Sequence, residues 1–428
     1  MNPISYFIMA TSSMALMFNL IPPEYFVYSL PSIANYVAIA TSFLALTQLK
    51  HSTNSIPWWL MPAVVLIATL AGISAILSSR DFSDVVFTFR LLAITPLAFM
   101  ILGWYFIQLT ATQIIAVFLP SAALGIYLML RALQQPFVGE LSPGEYVWEE
   151  HRFFTHPLTQ RPMWPVALSE NCCTAFGMTF FLIQCRSIIT KLAGLPFLAA
   201  AIVVAFVSAT RTYLFAFFAV FAIRMIYQAI TARKYQQLLI GTVILGLIIG
   251  IVFSVPSLRE MTIQRVDRFF NSADSSLLSS SGRLDIWKER LAIVGDIGAF
   301  SGLGGMGYLT TYSFSSHNLF IDISLIGGWL VGIFYMIASG ALCLTAIKLV
   351  FSSKSNSITI AIASSLVAQF AIVLVSSPVI SSSLGYVFFW LLSGMSLGSL
   401  ISARSSEPLS SNIGSIKVGF TGTLQEVK

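Results

Sequence analysis

Long apolar stretches separated by short polar ones run along most of the 428 residues. A window of about 19 residues, the length that crosses a bilayer as a helix, finds about twelve of them. They fall near 4–20, 26–48, 57–78, 85–107, 112–133, 164–184, 193–209, 212–231, 237–255, 318–347, 357–377 and 384–402. The pattern predicts an all-α polytopic membrane protein, with residues 1–428 forming a single membrane domain. Two longer polar segments interrupt it, 134–163 and 256–317, the second between the ninth and tenth expected spans. No internal repeat is visible, and the Ser-rich tracts are too short to link separate domains. The apolar start, Met1 to Leu20, lacks a basic leader and a small-residue cleavage site, so it reads as a retained first span.

Composition supports lipid as the solvent. The chain is 57% hydrophobic and 9% charged, whereas a soluble domain carries roughly 25% charged residues. The net charge of +6 fits basic residues retained on the cytoplasmic side. No basic stripe interleaved with aromatics points to nucleic acid. The four cysteines, Cys172, Cys173, Cys185 and Cys343, lie in or beside apolar stretches and form no metal or disulfide pattern.

Lys and Arg in the short loops orient the chain. With a cytoplasmic N-terminus, the inner loops hold Lys50, Arg186, Lys191, Arg233, Lys234, Lys348 and Lys354, and the tail holds Arg404. Both termini are then inside, and both long polar segments face outward. The larger one carries Arg259, Arg265, Arg268, Arg283, Lys288 and Arg290. So many cations are unexpected on that side and ask for a reason, such as an anionic ligand.

Within this loop, Ser281 or a neighbour is placed to cap a helix. Arg283, Trp287 and Arg290 then follow at i, i+4 and i+7 and share one face. Two guanidiniums beside an indole suit a helix that meets phosphate and sugar. They equally suit a helix lying on lipid headgroups, and spacing alone does not choose. The run Gly302-Leu303-Gly304-Gly305-Met306-Gly307 lacks the strand–helix context of a dinucleotide fingerprint. It reads as a flexible turn that permits close backbone approach.

His317 ends the loop at the membrane boundary, ahead of Asn318 and the intramembrane carboxylate Asp322. Asn318 and Asp322 are four apart, so either could orient a histidine or a substrate hydroxyl. Arg211 opens one span on the outer side, and Arg90 lies about a turn inside the outer end of another. Each alone could be a snorkelling cation, but Arg90, Arg211, Arg283 and His317 converge on one side. His51 falls on the opposite side. His151 and His156 belong to the shorter outer loop with Glu145, Glu149, Glu150, Arg152, Arg161 and Glu170; its mixed charges are by default those of a solvated segment, with covering or binding a substrate as the alternative.

The ordered set Ser281-Gly282-Arg283, Trp287, a Gly-rich turn, His317-Asn318, Gly327-Gly328 and Gly332 resembles the O-antigen ligase/polymerase superfamily. Thr210-Arg211 and Asn171 fit the same pattern. The resemblance covers about 165–345 by motif and the whole chain by span count. It implies a GT-C-like fold of about a dozen helices in the bacterial inner membrane, working on the periplasmic face. The donor would be a glycan on undecaprenyl diphosphate. The acceptor would be a lipid A–core sugar in a ligase, or another lipid-linked repeat unit in a polymerase. No metal, nucleotide sugar or other cofactor is implied.

The residue chemistry is compatible. Arginine forks bind diphosphate oxygens while keeping their charge, and they stabilise charge growing on the leaving group. A neutral histidine can accept the acceptor hydroxyl's proton. The expectation is inverting, metal-independent transfer with His317 as base. Arg211, Arg265 and Arg283 would bind diphosphate, Arg90 is a further candidate, and Asn318, Asp322, Trp287 and Arg290 would support them. Arg259 or Arg268 could replace Arg265. Alternatives are a polymerase, a protein-glycosylating ligase, or a flippase for lipid-linked glycan. A flippase would place charge along a path through the helices, and here the charge gathers on one side.

Overall fold

The structure is a computed structural model. It describes residues 3–20, 30–50, 61–133, 154–155, 162–163, 211–232, 283–312, 316, 318–352, 355, 357–375 and 384–405, with scattered helical positions between 177 and 263. Helices dominate. In chain order they are α1 (Pro3–Phe18), α2 (Leu30–Lys50), α3 (Met61–Ser78), α4 (Phe82–Phe89), a π-helical turn (Arg90–Ile94), α5 (Thr95–Phe106) and α6 (Ala111–Leu133). A two-residue antiparallel pairing follows, Phe154–Thr155 with Pro162–Met163. Then come α7 (Arg211–Ala232), α8 (Arg283–Asp296), α9 (Gly305–Thr311), α10 (Leu319–Gly327), α11 (Trp329–Phe351), α12 (Ser357–Val375) and α13 (Leu384–Ser405).

Among the described residues, five helices are long and apolar enough to cross a membrane: α3, the continuous rod Phe82–Phe106, and segments Ala111–Leu128, Trp329–Phe351 and Leu384–Ser402. Apolar stretches in α1, α2 and α12 are shorter. The chain is therefore an all-α membrane protein. The expected spans 164–184 and 193–209 lie almost wholly outside the described residues.

Two boundaries differ from the hydropathy pattern. The stretch expected as one span from 318 is two helices, separated at Gly328, whose φ of 99° no α-helix accommodates. The ninth span does not simply end at Pro256. The chain bends at Val255, and positions 256, 259, 260 and 263 are again helical. Pro suits the first turn of a helix, where its missing N–H has no intrahelical partner anyway.

Small residues set the closest packing, because lipid tails compete with apolar side chains and close backbone approach must supply the contact. A Cβ on Gly103 would strike the Leu391 carbonyl, and one on Gly394 the Met100 carbonyl, so α5 and α13 pack backbone to backbone. Phe118 of α6 fills the adjoining space, edge-on to Phe106 at 6.3 Å and to Phe388 at 5.6 Å. Polar pairs join neighbouring helices: Thr41 Oγ1 donates to Thr11 Oγ1 at 3.0 Å, and Tyr105 Oη to Ser5 Oγ at 2.8 Å.

The π turn has a local cause. Thr95 N–H reaches back five residues to the Arg90 carbonyl, and Pro96 has no N–H to continue the ladder. The Leu91 carbonyl instead accepts a hydrogen bond from Tyr386 Oη of α13 at 2.9 Å.

Candidate functional site

The α3–α4 corner receives the Gly-rich turn. Asp81 caps α4 by accepting Asp84 N–H at 2.9 Å and Ser83 Oγ at 2.7 Å. These bonds hold its carboxyl below the usual carboxylate range. Every N–H from Gly302 to Met306 is bonded. Gly302 N–H meets Ser78 Oγ at 2.7 Å, Gly305 N–H meets Thr88 Oγ1 at 2.8 Å, and Met306 N–H meets Asp84 Oδ1 at 2.8 Å. Leu303 and Gly304 donate to the Leu325 and Ile326 carbonyls at 2.7 and 3.1 Å. The expected close approach is present. The expected slackness is not, because the turn is pinned on both sides. A Cβ on Gly304 would lie 2.5 Å from Asp84 Oδ2, and φ there is 71°.

This docking carries α9 and α10 together. Ser74 Oγ donates to the Gly327 carbonyl at 2.7 Å, and Leu330 N–H donates to the Ala299 carbonyl at 3.1 Å. Residues 299–307 and the start of α11 thus meet the same end of the bundle as the α3–α4 corner.

A buried polar cluster lies between α8, α9 and α10. Asp322 is fully buried, and its Oδ1 accepts Tyr308 Oη at 2.6 Å and Ser316 N–H at 2.9 Å. Burial, and then the Asp322 charge, push the Tyr308 phenol well above its ordinary pKa, so it stays protonated and donates. The Trp287 indole N–H donates to the Ser316 carbonyl at 2.8 Å. The buried Arg290 guanidinium stacks on the Tyr312 ring, 3.2 Å from its centroid, within electrostatic range of Asp322. Carboxylate, guanidinium and hydrogen bonds together offset the desolvation that either buried charge would suffer alone.

The predicted site residues divide accordingly. Trp287, Arg290 and Asp322 come together. Of the α8 face that the spacing defines, Trp287 turns onto Ser316 and Arg290 onto Tyr312. Asn318 caps α10, its Oδ1 accepting Phe320 N–H at 3.0 Å and Ile321 N–H at 3.2 Å. Its oxygen is therefore occupied by the cap.

Arg90 is buried at the first position of the π turn, over Tyr36 at 5.3 Å and Phe87 at 5.0 Å. Phe87 in turn packs on Gly305, so a single ring separates Arg90 from the head of α9. Its guanidinium makes no hydrogen bond or ion pair with the described residues. Arg211 begins α7 and Arg283 begins α8, while both side chains lie outside the described residues. Arg224 of α7 donates to the Val350 carbonyl, and Tyr227 Oη to that of Phe351 at 2.9 Å. Arg211 lies 13 residues before Arg224 on the same helix, about 20 Å along its axis. His317 and Arg265, with the alternative Arg268, lie outside the described residues. Arg259 is described as part of the helical stretch after Val255.

Sequence reasoning missed Tyr308, Tyr312, Ser316 and Asp84. Asp84 could have been found by the criterion that singled out Arg90, an ionisable group near the end of a span. The others carry no signal before their partners are known. Among the described residues, no three His, Cys, Asp or Glu side chains gather as a metal site would need. No protein-family model and no curated protein matches the chain.

Proposed function

We propose that this protein is a membrane glycosyltransferase that moves a glycan from undecaprenyl diphosphate to an acceptor hydroxyl, with a lipid A–core sugar as the acceptor. In this account about twelve spans hold it in the bacterial inner membrane, both termini are cytoplasmic, and the reaction takes place on the periplasmic face. His317 takes the acceptor hydroxyl's proton as the oxygen attacks the anomeric carbon from the face opposite the diphosphate. Arg211, Arg283 and Arg265 bind the diphosphate, with Arg90 close by, and stabilise the negative charge that the leaving group gains as the glycosidic C–O bond breaks. No metal enters the step, and the donor already carries its activated leaving group.

The observation that supports this most is the convergence around Ser316. The residue before His317 is held by Trp287 of the Arg283 helix on one side and by Asp322 on the other. The two motifs of the resemblance, the Arg283 helix and the His317-Asn318 turn, need not have met; here Trp287 of the first and Asp322 beside the second both bond to the backbone of Ser316.

Lipopolysaccharide banding in a deletion strain tests the proposal. The expected result is core-only lipid A with intact lipid-linked polymer, restored by the wild-type chain. His317→Ala, at equal membrane abundance, loses about 10²–10⁴-fold of transfer. Core bearing a single repeat would instead assign the acceptor of a polymerase, and unchanged banding would contradict the proposal.

A further inference from the structure

We infer that Asp322 and Tyr308 are positioning residues that fix the backbone on which His317 is carried. The inference rests on the proposed role of His317. Both backbone polar groups of Ser316 are taken by side chains from different helices: its N–H by Asp322 Oδ1 at 2.9 Å, and its carbonyl by Trp287 Nε1 at 2.8 Å. Tyr308 donates to the same Asp322 oxygen at 2.6 Å, which ties α9 to the arrangement. Ser316 Oγ then reaches across His317. It donates to the Asn318 carbonyl at 3.0 Å and accepts Asn318 N–H at 3.1 Å. Asn318 is itself committed to capping α10. The residues flanking His317 are therefore anchored on both sides.

A role confined to stability would not call for this chemistry. A fully buried carboxylate is costly unless its partners are well placed, and an apolar residue of similar size often packs as well or better. What an apolar residue cannot do is accept Ser316 N–H. That N–H lies outside any helix and has a side chain as its acceptor. A general base must sit within hydrogen-bond reach of the proton it takes, so the placement of this peptide bears on the rate.

Steady-state transfer by the purified protein, with lipid-linked glycan as donor, tests the inference. Asp322→Leu should lower kcat by about 10²-fold, the effect of a displacement near 1 Å, while KM for the donor stays close to that of the wild type. Asp322→Asn keeps an oxygen able to accept both bonds and should recover about tenfold over Asp322→Leu. Tyr308→Phe removes one bond, keeps the ring, and should fall between Asp322→Leu and the wild type. Each variant is compared at equal folded fraction, measured by thermal melting in detergent. Unchanged kcat in Asp322→Leu, or losses that merely track the folded fraction, would overturn the positioning role alone. If Asp322→Leu does not fold, wild-type kcat in Tyr308→Phe has the same force. Absence of transfer by the wild type would overturn the functional proposal, and this inference with it.

Discussion

Asn318 and Asp322 illustrate what single residues can disclose. One turn apart, they look equivalent along the chain, yet one caps a helix through its oxygen and the other is a buried acceptor for a distant tyrosine and a loop N–H. The difference arises from Tyr308 and Ser316, whose partnership no local pattern encodes. Trp287 was legible as a member of a shared face with Arg290, because helical spacing is local. Its acceptor, 29 residues on, was not. Arg283 opens the same helix and belongs to the proposed diphosphate set. Arg283→Lys keeps the charge and loses the planar fork. Losing one charge-assisted hydrogen bond at about 1.5–3 kcal/mol predicts roughly a tenfold to hundredfold fall in kcat/KM, read from initial rates against donor concentration. An unchanged value would argue against bidentate binding there.

At the scale of elements, the helices themselves were largely legible, since apolar length is a strong signal. Their interruptions were not. Hydropathy runs unbroken through Gly328 and is silent about the π turn at Arg90, both of which depend on backbone geometry. Gly328 separates α10 from α11 because Ala299 approaches so closely: an added Cβ would lie 2.5 Å from the Ala299 carbonyl oxygen. At φ 99° a side chain is strained irrespective of space. Gly328→Ala should therefore destabilise the protein by about 1–3 kcal/mol, seen as a lowered melting temperature in detergent. A melting temperature equal to that of the wild type would show that the break is not needed. The docking of the Gly-rich turn onto Ser78, Asp84 and Thr88 was equally hidden, because more than 200 residues separate the partners.

For the whole molecule, the membrane class followed from composition and pattern, and the described helices agree with it. The expectation that function gathers at one end rests on a bias in where cations fall. The folded chain joins the α3–α4 corner, the Gly-rich turn, α8 and the head of α10 through specific hydrogen bonds. The opposite end, where Arg224 and Tyr227 meet the last carbonyls of α11, carries contacts expected of a helix terminus. The central claim is that this end performs glycan transfer from a lipid diphosphate, and purified protein in detergent tests it most directly. Supplied with undecaprenyl-diphosphate-linked glycan and lipid A–core, the wild type should release undecaprenyl diphosphate and form glycosylated core, with His317→Ala slower by about 10²–10⁴-fold. No product from the wild type, or equal product from His317→Ala, would contradict the account.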